Sequence, residues 1–153
     1  MITKPTTAQL IDEVRRTLAS TVAPAINDPQ VQASLQMIDH ILSTLALRAE
    51  NELAWMLDEI DDIERVVGRV AEELADTGAV LEALDALRAT TYGSRSISDV
   101  TDRYALASEA LSCAVEATMS TGGPLRDEVS ALLDRRLAHE TDVIGEFQLV
   151  GRS

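Results

Sequence analysis

The densest chemical feature of the sequence is the acidic run Asp58, Glu59, Asp61, Asp62 and Glu64. Asp58 and Asp62 are four residues apart, so on a helix they share a face and could chelate a hard divalent cation. The run lacks the glycine turn and terminal bidentate glutamate of a calcium loop. A helix-borne di-iron site needs Glu-x-x-His pairs, and the sequence contains none. The expected role is a solvated face beside an apolar stripe, with Asp58 and Asp62 as the candidate metal ligands.

The two histidines, His40 and His139, are far apart in the chain. His40 falls among Gln36 and Thr44 and is expected at the surface. His139 lies seven residues after Leu132, which returns it to the apolar side of its helix. Arg136 and Glu140 fall there too, at the spacing of an i,i+4 ion pair. Charged groups on a buried stripe are costly unless paired. Either the helix ends near Ala138–Thr141 and these groups reach water, or Arg136, His139 and Glu140 line a polar pocket. They are the candidate ligand-binding residues.

Trp55 lies off the main apolar stripe and forms a second, weaker face with Leu47. A large aromatic residue outside the core seam marks an interface or packs on another helix of its own bundle. Leu47 and Trp55 are therefore the candidate interface residues. Nucleophile and phosphate-loop motifs are absent: there is no Gly-x-Ser-x-Gly, Gly-x-x-x-x-Gly-Lys or Gly-x-Gly-x-x-Gly. No catalytic residue and no cofactor are expected. Cys113, the single cysteine, excludes an internal disulfide and a cysteine-based zinc site. Its alanine neighbours make it a small core residue.

These residues must be positioned by helices. The chain has 153 residues, 46% of them hydrophobic but only 3% aromatic, so the core is aliphatic. Thr6 with Gln9 forms a capping box after Pro5, followed by Leu10, Ile11, Val14, Leu18 and Val22 at helical spacing; Ala23-Pro24 ends that helix. Asp28-Pro29 starts the next. Its stripe runs Val31, Leu35, Ile38, Leu42, Leu45 and Ala49, then resumes after a four-residue stutter at Leu53, Met56, Ile60, Ile63, Val67, Val70 and Leu74. An unbroken helix over 29–76 would be about 70 Å long at 1.5 Å per residue, against a radius of gyration of about 15 Å for a compact chain of this size. Either the helix breaks or bends near Arg48–Asn51, or the protein is an elongated dimer; the break is the favoured expectation.

Gly78 marks a stop, and a short helix follows from Ala79 to Thr91. Tyr92-Gly93-Ser94-Arg95-Ser96 reads as a loop. Ile97-Ser98 reads as a staple and N-cap, and Val100, Tyr104, Leu111, Val115 and Met119 as the next stripe. Gly122-Gly123-Pro124 opens a last helix bearing Leu125, Val129, Leu132, Leu133 and Leu137, and then Val143, Ile144 and Phe147; Val150–Ser153 reads as frayed. The expectation is a single all-α domain over 1–153, an up-and-down-like bundle of five to six helices.

The net charge is −13, from 26 acidic and 13 basic residues, of which Lys4 is the only lysine. Such a surface repels phosphate backbones and anionic lipid, so neither nucleic acid nor membrane is an expected partner. No stretch approaches the ~20 apolar residues of a span and no signal peptide is evident, which makes the expected location cytoplasmic. A long stripe, an off-seam Trp55 and the missing motifs together point to an interaction module that self-associates as a homodimer. The competing reading is a metal- or small-molecule-binding bundle with weak or unrecognised enzyme activity.

The N-terminal run Lys4-Pro5-Thr6-Thr7-x-x-Leu10-x-x-x-Val14-x-x-x-Leu18-x-x-x-Val22-x-Pro24-Ala25, with Ile38-x-x-Ile41-Leu42, Arg48 and Glu50, resembles a family of uncharacterised bacterial helical domains. Those domains occur beside, or fused behind, aminoglycoside-phosphotransferase-like kinases. The resemblance covers about the first 50 residues; Asp39-His40 and Arg48-Ala49-Glu50 depart from the family pattern. It implies an accessory role beside a kinase-like or acyl-group enzyme and carries over no catalytic residue.

Overall fold

A computed structural model of the chain describes residues 4–75, 77–90, 93–119 and 121–144. Tyr92, Phe147 and Val150–Ser153 lie outside the described residues, as does the side chain of Ile144. The protein is an all-α helical bundle, with five α-helices and no strand among the described residues: α1 (Thr7–Thr17), α2 (Pro29–Glu73), α3 (Gly78–Ala89), α4 (Ile97–Thr118) and α5 (Pro124–Ile144).

Local chemistry sets the helix starts. Thr6 Oγ1 accepts the Gln9 amide at 3.3 Å while Gln9 Oε1 accepts the Thr6 amide at 2.9 Å, so two orphan donors of α1 are satisfied reciprocally. Asp28 Oδ1 accepts the Gln30 amide at 2.8 Å and Pro29 opens α2, where its missing N–H costs nothing. The cap of α4 is Ser96, not the expected Ser98. Ser96 is extended and its Oγ accepts the Asp99 amide at 3.2 Å, which places Ile97 inside the helix. Gly122 and Gly123, at φ 63° and 83°, make the left-handed turn into α5 that other residues resist. Gly78 opens α3 instead of closing α2, which ends at Glu73.

Two further departures matter. After Thr17 the chain widens into a π-helical turn, Leu18–Val22, and tightens into a 3₁₀ turn at Ala23–Ala25. And α2 is one helix across the stutter. Asn51 Nδ2 donates to the Leu47 carbonyl at 3.0 Å, and Arg48 is ion-paired to Glu52 one turn on. The Arg48–Glu52 pair, a helix-favouring i,i+4 contact, thus spans the residues where a break was expected.

The helices form two compact units, Met1–Glu52 with Thr141–Ser153, and Leu53–Glu140. In the first, α1 and the N-terminal part of α2 form an antiparallel hairpin. Arg15 grips Asp39 with Nε at 2.9 Å and Nη2 at 3.2 Å. Leu18, Ala19 and Ala23 face Gln32, Leu35 and Gln36 across a groove of about 360 Å³. His40, expected at the surface, is half-buried here. Of the residues described between 4 and 52, Ala46 alone reaches core burial.

The second unit holds the core. Ile60, Ile63, Val66, Val67 and Val70 of α2 pack with Val80, Leu84 and Leu87 of α3, Val100, Ala107 and Leu111 of α4, and Leu125, Val129 and Leu132 of α5. Ion pairs and hydrogen bonds show the helix directions. Arg88 of α3 pairs with Glu64 across the α2–α3 turn, and Arg136 of α5 donates to Ser108 across the α4–α5 turn. Between α2 and α5, Arg69 pairs with Glu128, Asp62 with Arg135 and Glu59 with His139, so position falls along one helix as it rises along the other. Within this unit the up-and-down order expected from the short connections is present. No described helix is long and apolar enough to cross a membrane.

Candidate functional site

The most chemically elaborate cluster lies in the second unit, around Glu59. Ile60 and Ile63 turn one side of α2 into the core, and Val66, seven residues on from Glu59, is also buried. Glu59 therefore sits at the edge of the inward face, and its side chain is only 12% exposed. It accepts a hydrogen bond from the Tyr104 hydroxyl of α4. His139 Nδ1 of α5 lies 2.8 Å from its Oε1, and Arg136 Nε lies 4.0 Å from Oε2. Two hydrogen-bonding side chains and a guanidinium at ion-pair distance, from two helices, thus surround one carboxylate, which is what a nearly buried anion requires.

The donors are themselves held. Arg136 Nη2 donates to Ser108 Oγ at 2.9 Å, and its guanidinium lies 4.8 Å from the centre of the Tyr104 ring. The His139 ring stacks on Trp55, centroids 4.7 Å apart and planes within 8°. Burial, and then the bond to Glu59, push the Tyr104 hydroxyl well above its ordinary ionisation range. Tyr104 is a neutral donor, held that way.

Of the residues singled out by sequence, Arg136 and His139 do meet, half-buried on an α5 that continues beyond them to Ile144. Glu140 is exposed. The anion facing Arg136 and His139 is Glu59, from a different helix. Trp55 packs on His139 of its own unit; Leu47, half-buried, belongs to the other unit. The acidic run divides. Asp58 and Asp61 are exposed, while Asp62 accepts from Arg65 at 2.6 Å and Arg135 at 2.8 Å. Glu64 binds Arg88 and Arg103, each at 3.1 Å. Two guanidinium groups already occupy Asp62, which blunts its value as a cation ligand. Among the described residues no group of three or more His, Cys, Asp or Glu side chains converges to hold a metal.

No family model, curated protein or solved structure matches the chain. Geometry alone must decide what the cluster can do. Its donors and acceptors are turned on one another: the carboxylate faces tyrosine and histidine, the guanidinium faces serine and an aromatic ring. That arrangement suits a polar brace joining α2, α4 and α5 better than a catalytic constellation, which keeps a group aimed at substrate.

Sequence reasoning placed Glu59 in the solvated acidic run, missed Ser108 and placed Tyr104 only as a core residue. The signals were available. Val66 one heptad after Glu59 marks that column as inward, and a buried tyrosine needs a partner for its hydroxyl.

Proposed function

We propose that this chain is a non-catalytic helical interaction module that works through the apolar face of α1 and the first half of α2. The observation that carries this reading is exposure. Leu10 and Val14 of α1 and Val31, Ile38, Ile41 and Leu45 of α2 are 43 to 54% exposed. Scattered exposed leucines are ordinary, but a contiguous set of this size on one hairpin is characteristic of a binding surface. The stretch 29–47 supports it: a single formal charge, Asp39, falls in it, and Arg15 already pairs with that charge. A helix meant for water on this side would carry more.

The homodimer expected from sequence belongs, in this reading, to the hairpin and not to Trp55, whose ring is engaged by His139. The N-terminal pattern that resembles kinase-associated helical domains includes Leu10, Val14, Ile38 and Ile41, so a kinase-like enzyme is the heterologous partner to try. The test is binding of a hydrophobic dye to wild type and to Ile41→Glu. The expected result is dye binding that the variant reduces several-fold with the helical spectrum unchanged. Absence of dye binding to the isolated protein at low concentration would overturn the reading.

A second reading rests on the groove of about 360 Å³ between the π-helical turn and α2. Its walls are mostly apolar, and π-turns are frequent at functional sites. A small aliphatic ligand would fit it. A thermal-shift screen separates the two: stabilisation by a small ligand favours the groove, and no response favours the interaction module.

A further inference from the structure

The exposed apolar side chains of the hairpin form a pattern with its own symmetry. On α2, Val31, Ile38 and Leu45 recur every seven residues, and Ile41 follows Ile38 by three. This is the a and d spacing of a helix seam. It is separate from the stripe that faces α1: Leu35, Asp39, Leu42 and Ala46 are half-buried or buried, and their column lies about 100° around the helix. On α1, Leu10 and Val14 lie a similar angle from Ile11, Arg15 and Leu18, which are half-buried. In an antiparallel pair these two offsets turn to the same side. The hairpin therefore presents one two-helix apolar face.

We infer that this face is covered by the same face of a second copy, so that two hairpins close an antiparallel four-helix bundle. The inference rests on the interaction-module reading and names its partner. Three features select a second copy over a foreign partner. First, the α2 seam of a and d residues lies in a stretch, 29–47, whose single formal charge is the paired Asp39, so it is complementary to itself, and a two-fold axis beside Ile38 and Ile41 sets each against the other. Second, charge allows copies to meet only here. Residues 1–52 carry four basic and six acidic groups, whereas 53–153 carry nine basic and 20 acidic. Copies repel one another through the latter and approach freely through the former. Third, the area is sufficient. About half the surface of six large aliphatic residues is on the order of 500 Å², which with the flanking Met37 and Ser34 approaches the ~800 Å² per partner of a standard interface.

The antiparallel sense follows from that axis: a two-fold beside Ile38 and Ile41, perpendicular to α2, runs the two copies of α2 in opposite directions. In that arrangement Ser34 of one copy lies against Leu45 of the other.

Sedimentation equilibrium on the full chain, with far-UV circular dichroism as a fold control, tests the inference. The expected result is a dimer whose dissociation constant rises at least 100-fold in Ile38→Glu while helicity is kept. A disulfide-mapping arm in the Cys113→Ser background does not depend on that variant folding. Mixing Ser34→Cys with Leu45→Cys should give the mixed disulfide in preference to either self-pair, because the two same-residue pairs would be about 16 Å apart at 1.5 Å per residue. Self-pairs dominating would overturn the antiparallel arrangement, and a dimer indifferent to Ile38→Glu would overturn the face. A strict monomer that binds hydrophobic dye through the hairpin would overturn the second copy as occupant and leave the interaction module standing. A strict monomer that binds no dye would remove both.

Discussion

Trp55 and His139 stack face to face within one unit, with ring centroids 4.7 Å apart. Two residues that sequence placed in different roles, an interface aromatic and a pocket base, turn out to be each other's neighbour. Trp55 is also the only tryptophan, so its emission reads this contact alone.

Because the indole is covered by the imidazole, His139→Ala should expose it and move its emission to the red, while His139→Phe, which keeps a ring on Trp55, should hold the emission near that of wild type. Steady-state fluorescence at neutral pH is the measurement, and an unchanged spectrum in His139→Ala would contradict the stack.

Removing the anion at the centre of the polar brace should cost more than removing any one donor. Glu59→Ala leaves Tyr104, His139 and Arg136 facing a void and should destabilise by about 2–4 kcal/mol. Tyr104→Phe removes one charge-assisted bond and should cost about 1–2 kcal/mol. Urea melts followed by circular dichroism would rank them; equal losses would contradict Glu59 as the hub.

Alkali should weaken the fold through Tyr104. Its folded ionisation is raised, by burial first and by Glu59 second, so its contribution is complete below the unfolded tyrosine value of about 10. Above that value the unfolded chain loses the proton and the native protein keeps it, so stability falls as pH climbs further. The loss should shrink in Tyr104→Phe. Phenol absorbance should show a late-ionising component that the variant lacks.

Asp39 behaves oppositely. The Arg15 guanidinium holds its carboxyl below the usual range by hydrogen bonding, with burial acting against it. The contribution is present above about pH 4 and disappears as pH falls through the depressed value. Because the pair is largely solvated, Asp39→Asn should cost under about 1 kcal/mol at neutral pH, and less in high salt.

Much of the fold was legible because aliphatic periodicity records which side of a helix is oily. Thr6 with Gln9 and Asp28 with Pro29 marked helix starts correctly. What periodicity does not record is which oily side is covered. Val31–Leu45 and Ile60–Val70 have the same rhythm, yet only the second is buried within the chain. The stutter at Ala49–Leu53 suggested a break because compactness was assumed for the whole chain; α2 instead continues through it, with the Arg48–Glu52 pair along its surface. The polar brace was half legible. Arg136 and His139 stood out as charges on an apolar stripe, but Glu59 was hidden among four acidic neighbours that do face solvent or basic partners.

The uneven distribution of charge along the chain has a consequence for how concentrated solutions behave. Coulomb repulsion between acidic surfaces reaches over roughly 30 Å at 0.01 M ionic strength and about 8 Å at 0.15 M, whereas oily contact acts only at touching distance. Sodium chloride should accordingly govern encounter in the proposed dimer, keeping molecules apart when dilute and quickening association as it rises, with little effect on the rate at which a pair separates.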